Sequence, residues 1–312
     1  MAGRWAMSPL REALDRYVNM CRGFGYKFTS TERLLIDFVA FMEAQGAAIV
    51  TSKLALDWTT GVAGRASWPS RLGAVRGFAR HLSCTEPRTE IPPAGIVRAT
   101  PRHAPHIYTE LEICGLLDAM LALPPATRLR RWTYYYLLGL LSVTGLRVGE
   151  AFRLKRDDVD LDTGVLTIRE TKFGKSRIVP IAPSTVAALN DYVTRRDARR
   201  CRSAAVHFFT GEHGGPLYHQ NVHLVFCAVS RQIGLRPDPG GGPRIHDLRH
   251  SYAVNTLLRW YRAGEDVERL LPVLSTYLGH SHTRDTYWYL SACPELMEHA
   301  AHRLEARWEG VS

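Results

Sequence analysis

The sequence predicts a mostly α-helical protein with one small β-sheet. A helical N-terminal domain over residues 1–86 precedes a larger α+β domain over 108–312. Three observations carry this expectation. Apolar residues recur at helical spacing through most of the chain. Prolines crowd the stretch between the two parts. Only two short segments, 165–169 and 177–181, alternate as strands do.

In the first domain, Leu10, Ala13, Leu14, Tyr17 and Val18 define one helix, and Leu34, Leu35, Phe38, Val39 and Met42 a second. Thr29 or Ser30 is the expected cap of that second helix, since a side-chain oxygen there can satisfy free N–H groups. Gly46 is its expected stop. A third helix covers Ser52 to about Thr59, and a fourth about Pro69 to Leu82. Residues 87–107 read as an extended linker, because Pro87, Pro92, Pro93, Pro101 and Pro105 exclude a helix.

The second domain opens with Thr109-Glu-Leu-Glu, a capping-box pattern. A long apolar helix follows and ends near Thr144-Gly145. Val165-Leu-Thr-Ile-Arg and Arg177-Ile-Val-Pro-Ile then pair as a β-hairpin whose turn carries Lys172 and Lys175. Helices dominate from there. Leu296, Met297, Ala300, Ala301, Leu304 and Trp308 form an apolar stripe on one expected helix after Pro294. Tyr134-Tyr-Tyr reads as helix core. Arg195-Arg, Arg199-Arg and Arg202 read as a solvated or phosphate-contacting face.

Composition narrows the function. With 46% apolar residues in 312, the chain can bury a core. No apolar run is long enough for a membrane span, and the N-terminus lacks a signal-peptide layout. The expectation is a soluble, cytoplasmic protein. Six separated cysteines without a CxxC pair indicate neither a disulfide framework nor a zinc knuckle. The net charge of +10 suits a nucleic-acid partner. Residues 1–105 are the denser positive part, with 14 Lys/Arg against 8 Asp/Glu.

Four stretches hold reactive residues in unusual company: Thr144-Gly-Leu-Arg-Val-Gly-Glu, Thr171-Lys-Phe-Gly-Lys-Ser-Arg, His246-Asp-Leu-Arg-His, and Leu278-Gly-His-Ser-His with Thr286-Tyr-Trp-Tyr. Arg147 follows a glycine that ends an apolar helix, so it projects from a rigid core. His246 and Arg249 are three apart and share a helix face. Two guanidiniums with two or three imidazoles suit a phosphate, because arginine presents a fork of donors to paired oxygens. Tyrosine, with a pKa of about 10, needs such help to act as a nucleophile. The histidines lack a carboxylate or cysteine partner at metal-binding spacing, so no metal site is expected.

The order Arg…Lys…His-x-x-Arg…Leu-Gly-His…Tyr resembles the tyrosine recombinase (phage integrase) family, over roughly residues 109–290. The resemblance implies an integrase-like catalytic domain behind a helical core-binding domain whose basic residues mostly touch DNA phosphates. It implies a site-specific DNA recombinase, an integrase or the transposase of a mobile element, working through a 3′-phosphotyrosine intermediate. Tyr289, nine residues after His280, would be the nucleophile. Leu290-Ser291 depart from the polar residue and histidine that follow it in many relatives, which leaves Tyr287 as the alternative. Arg147 and Arg249 would hold the non-bridging oxygens. Lys172 would protonate the leaving 5′ oxygen, with Lys175 only contacting backbone or solvent. His246 would accept the tyrosine proton, His280 would hydrogen-bond the phosphate, and Glu150 would orient Arg147 or a neighbour. No cofactor or metal is implied. The partners implied are double-stranded DNA, further copies in a tetrameric synapse, and partner recombinases, at the nucleoid. The tail helix would pack on its own domain or dock into a neighbouring copy. Two other functions fit the residues less fully: a type IB topoisomerase-like nicking-closing enzyme, and a DNA-binding accessory protein with an idle site.

Overall fold

The computed structural model describes residues 8–98, 104–125, 127–169, 176–198, 206–237 and 241–291, with 295–298, 301, 302 and 305 near the C-terminus. The chain divides into two compact units, Met1–His103 and Ala104–Ser312. The first contains α1 (Pro9–Gly23), α2 (Thr29–Ala44), α3 (Ser52–Thr60) and α4 (Trp68–Leu82). Ser8 caps α1 by accepting from the Arg11 amide, and Thr51 caps α3 by accepting from Leu54. The apolar stripes anticipated above meet in one core of Leu14, Leu35, Phe38, Met42, Val75 and Phe78.

The start of α2 differs from expectation. Thr29 is already helical, and its hydroxyl donates back to the Lys27 carbonyl at 3.2 Å. Phe28 takes the cap position in a left-handed conformation, φ +53°. Its ring packs edge-on against Tyr17 at 5.5 Å, so apolar contact replaces a side-chain cap. Part of the proline-rich stretch also belongs to this unit. The Glu90 amide donates to Val50, Arg76 donates to the Pro92 carbonyl at 2.7 Å, and Pro92 is buried.

Several arginines of this unit are occupied within it. Arg71 is buried with its guanidinium 3.5 Å from the centre of the Trp58 ring. Arg11, Arg22 and Arg88 pair with Glu43, Glu32 and Glu86. The positive charge open to a partner is therefore less than composition implies; Arg16, Lys27, Arg33 and Arg80 are among the exposed cations.

In the second unit, α5 (Glu110–Leu121) begins with the anticipated capping box of Thr109 and Glu112. The core is built around α6 (Leu129–Thr144), from which Tyr134, Tyr136, Leu137 and Leu141 are buried. A short α7 (Val148–Arg153) follows. The strands β1 (Val159–Asp160), β2 (Val165–Ile168) and β3 (Arg177–Pro180) form an antiparallel sheet in that order, with Leu166 opposite Val179 and Ile168 opposite Arg177. At two residues, β1 is too short to show an alternation. The hairpin turn with Lys172 and Lys175 lies outside the described residues.

The remaining helices are α8 (Pro183–Asp197), α9 (His219–Gln232), α10 (Ile245–Arg262), α11 (Val267–Leu278) and α12 (Arg284–Tyr287). α10 and α11 share a second cluster of Val254, Leu257, Leu271, Leu274 and Leu278, which also buries Tyr289 and Leu296. Leu296 thus packs on its own unit, whereas Met297 is 55% exposed and leaves the proposed stripe. Ala301 is exposed as well, and Ala300, Leu304 and Trp308 lie outside the described residues. Arg196 is not on a solvated face: it is buried, donating to the Phe208 carbonyl and to Asp197. Arg195 lies over Trp132 and pairs with Asp191. Among the described residues no helix is long and apolar enough to cross a membrane.

Candidate active site

Two glycines shape the pocket. Gly145 ends α6 at φ +61° and Gly279 ends α11 at φ +71°, a region glycine enters without steric cost. A Cβ on Gly145 would lie 2.6 Å from the Tyr252 ring, and one on Gly279 would lie 2.6 Å from Arg177 Nη1. Both turns accept no side chain, and each leaves its last carbonyls free to accept hydrogen bonds.

Arg249, on α10, uses those carbonyls. Its Nη1 donates to Gly145 and its Nη2 to Leu278, both at 2.8 Å. A buried cation at two helix C-termini meets their partial negative charge. Burial, and then the nearby Arg147 charge, lower its pKa to about 10, which leaves it charged at neutral pH. Arg147 sits between α6 and α7. Its Nη2 donates to the Gly279 carbonyl at 3.0 Å and its Nη1 to Glu150 at 2.9 Å, and its side chain is 33% exposed. The two arginines thus converge on one place from different helices.

Beneath them lies Glu150. It accepts from the Arg147 backbone amide at 3.0 Å and from Arg177 at 3.1 and 2.8 Å. Burial alone would raise this carboxyl. The Arg177 hydrogen bonds and charge, joined by Arg147, overcome that effect and hold it at about 2. Arg177 also donates from Nε to the Tyr277 carbonyl at 2.8 Å. One arginine therefore ties β3 to both the Arg147 helix and the end of α11.

Imidazoles and the tyrosine complete the cluster. His280 Nδ1 lies 2.7 Å from the hydroxyl of the fully buried Thr286. Its ring runs parallel to that of Tyr289 at 5.9 Å. His250 packs against Tyr289 at 5.5 Å, against Trp288 at 5.1 Å and against His246 at 4.8 Å. Burial and neighbouring charge lower His250 and His280 to about 4. His246, open to solvent on one side, is lowered first by the protein around it and then by Arg249. All three shifts favour the neutral ring. Tyr289 is 2% exposed. Burial raises its hydroxyl, while the Arg249 charge and hydrogen bond, and then Arg147, pull it back part of the way. Tyr287 is 56% exposed on the same short segment.

The cluster falls within a recognised sequence family. The phage integrase family matches residues 109–295. The chain belongs to the phage integrase family. It is 51% identical over 312 residues to a protein named integrase/recombinase y4rB from Sinorhizobium fredii, spanning 97% of this chain and 99% of that one. It is 31% identical over 243 residues to tyrosine recombinase XerD of Mycobacterium tuberculosis, spanning 76% and 71%. Among solved structures it resembles the Tn1549 transposon integrase in complex with transposon right-end DNA, with a TM-score of 0.65 at 15% identity over 94% and 98% of the two chains. It also resembles a lambda integrase tetramer bound to a Holliday junction, with a TM-score of 0.59 at 20% identity over 88% and 78%. At these identities the structural likeness is one of fold. The chain is a tyrosine-type site-specific recombinase.

In this recombinase the structure brings together Arg147, Glu150, His246, Arg249, His280 and Tyr289; Lys172 lies outside the described residues. Sequence reading missed three contributors. Arg177 had a signal: it is two residues from Val179, on the strand face that is buried, where an unpaired arginine would be costly. His250 is visible in the His246-Asp-Leu-Arg-His motif, but nothing in the sequence marks it as a ring that packs on Tyr289. Thr286 carries no signal that separates it from an ordinary helical threonine.

Proposed function

We propose that the recombinase cuts and rejoins double-stranded DNA through Tyr289. The phenolic oxygen attacks a backbone phosphorus, a bond forms to the 3′ phosphate, and the 5′ oxygen leaves as a hydroxyl. Arg147 and Arg249 hold the non-bridging oxygens and neutralise charge that develops in the transition state. Each guanidinium spends only part of its five donors on protein, so N–H groups remain for phosphate. His246, neutral and beside Arg249, takes the phenolic proton. Lys172 protonates the departing oxygen. Glu150 orients Arg147. Bond energy stays in the phosphotyrosine, so religation needs no nucleotide.

The observation that carries this reading is the burial of the Tyr289 phenol against Arg249, with Arg147 and His280 around the same point and His246 beside Arg249. Tyr287 on the exposed side has no such company. The full set of Arg147, Lys172, His246, Arg249, His280 and Tyr289 in the sequence also argues against a merely accessory DNA-binding role. Strand exchange requires more than one active site. We therefore assign the working form to a tetrameric synapse on DNA at the nucleoid, with further copies or partner recombinases supplying the other sites. Whether the exchange serves integration or transposition is a matter of the DNA site used.

The test is a pool of nicked duplexes with a randomised core, built so that the freed 5′ fragment diffuses away. Wild type should trap a covalent adduct on members of the pool, Tyr287→Phe should retain it, and Tyr289→Phe should lose it. An adduct that survives Tyr289→Phe, or none with wild type, overturns the reading. Exchange between two recovered duplexes separates a recombinase from a nicking-closing enzyme.

A further inference from the structure

His280 is held more tightly than a phosphate contact alone requires. Its backbone is fixed where Gly279 turns, with the His280 amide donating to the Ser275 carbonyl at 3.0 Å. Its Nδ1 is 2.7 Å from Thr286 Oγ1. Thr286 is fully buried, and its amide donates to Thr283 at 2.8 Å, so the hydroxyl has little freedom to move away.

The chemistry of that contact is specific. Arg147 and Arg249 already place two positive charges at the pocket, and they oppose a third on the ring. A neutral imidazole carries one proton, and the partner of one nitrogen decides which nitrogen bears it. A backbone carbonyl at Nδ1 would take the proton there and leave a lone pair on Nε2, which repels phosphate oxygens. A carboxylate would do the same and would also favour the charged ring. A hydroxyl can donate to Nδ1 instead.

We propose that Thr286 donates its hydroxyl proton to Nδ1 of His280 and so holds the single proton of the neutral imidazole on Nε2, making His280 a hydrogen-bond donor to the scissile phosphate. Thr286 is then a positioning residue: it acts through His280 and does not touch the phosphate. It lies three residues before Tyr289, so the same short segment fixes both the donor and the nucleophile. The functional half of this inference rests on the reading of the pocket as a phosphodiester site; the proton placement does not.

Nitrogen-15 spectra of histidine-labelled full-length protein test it, with the His280 signals identified by their loss in His280→Gln. Wild type should show an unprotonated Nδ1 and a protonated Nε2. Thr286→Val, of nearly the same shape, should mix the two tautomers. It should also slow adduct formation by roughly 10- to 100-fold, the scale on which losing the orienting partner of a metal-bound imidazole costs activity, without weakening duplex binding. Thr286→Ser should restore both. A protonated Nδ1 in wild type, wild-type cleavage by Thr286→Val, or failure of serine to rescue overturns the inference. Should the valine variant not fold, the wild-type spectrum and the serine variant still decide. A protonated Nε2 in a protein that forms no adduct would overturn the functional reading and leave the proton placement standing.

Discussion

Arg177 donates to both oxygens of Glu150, at 3.1 and 2.8 Å, while the same carboxylate receives Arg147. The pair is almost without solvent, at 9% and 2% side-chain exposure. Arg177 thereby connects the strand that follows the lysine-bearing turn to the arginine proposed to hold the phosphate. Its value is geometric, since a buried pair gains little net stability but is costly to break.

Replacing Arg177 by Met should therefore destabilise the second unit by about 3–5 kcal/mol, the range for removing one partner of a buried pair. Denaturant unfolding measures it. A loss under about 1 kcal/mol, the scale of an exposed pair, would show that Glu150 does not depend on Arg177.

The Glu150 carboxyl sets a pH window. Its folded pKa of about 2 lies below the ordinary 4.5. Above 4.5 the carboxylate is charged in folded and unfolded chains, and its contribution is present in full. Between 4.5 and 2 the unfolded chain binds the proton first, so the contribution fades as pH falls. The amount is on the order of 3 kcal/mol. Glu150→Gln removes this proton, and its stability should fall less steeply with acid across that window. Parallel slopes for the two proteins would contradict the assignment.

Gly279→Ala should impair cleavage more than folding. A left-handed alanine costs on the order of 1–2 kcal/mol. The added Cβ would also meet Arg177 Nη1 at 2.6 Å and its Cζ at 2.8 Å. Arg177 can yield only by loosening its hold on Glu150 or on the Tyr277 carbonyl. Adduct formation should drop at least tenfold in protein that still unfolds cooperatively. Unchanged cleavage would mean the pocket tolerates the shift.

The helices were legible because burial repeats every three to four residues, and Gly145 and Gly46 marked their ends as glycine does where φ is positive. The site motifs were legible because arginine, histidine and tyrosine stand in fixed order. What escaped is set by tertiary contact. Phe28 displaces the expected cap because the ring of Tyr17, on the preceding helix, offers packing that no local pattern records. Arg196 reads as surface until the Phe208 carbonyl, brought back by the fold, receives it. Arg177 and Thr286 matter through partners 27 and 6 residues distant, Glu150 and His280.

His246 gives the last prediction. As the proposed base it must be neutral to work, and the enclosing protein and Arg249 lower its pKa from the ordinary 6.5. Arg147 and Arg244 act in the same direction, against Asp247. Protonation should therefore slow cleavage with a midpoint under pH 6.5, and the rate of adduct formation should level off above that midpoint. Single-turnover rates between about pH 5 and pH 8 should show an acid limb with its midpoint under 6.5. His246→Gln should remove that limb and lower the plateau by about 10²–10⁴, the usual contribution of a positioned base. Loss of the limb in His246→Gln is what separates it from His250 and His280, which burial and neighbouring charge lower to about 4. A midpoint above 6.5, or a limb that persists in His246→Gln, would assign proton transfer to another group.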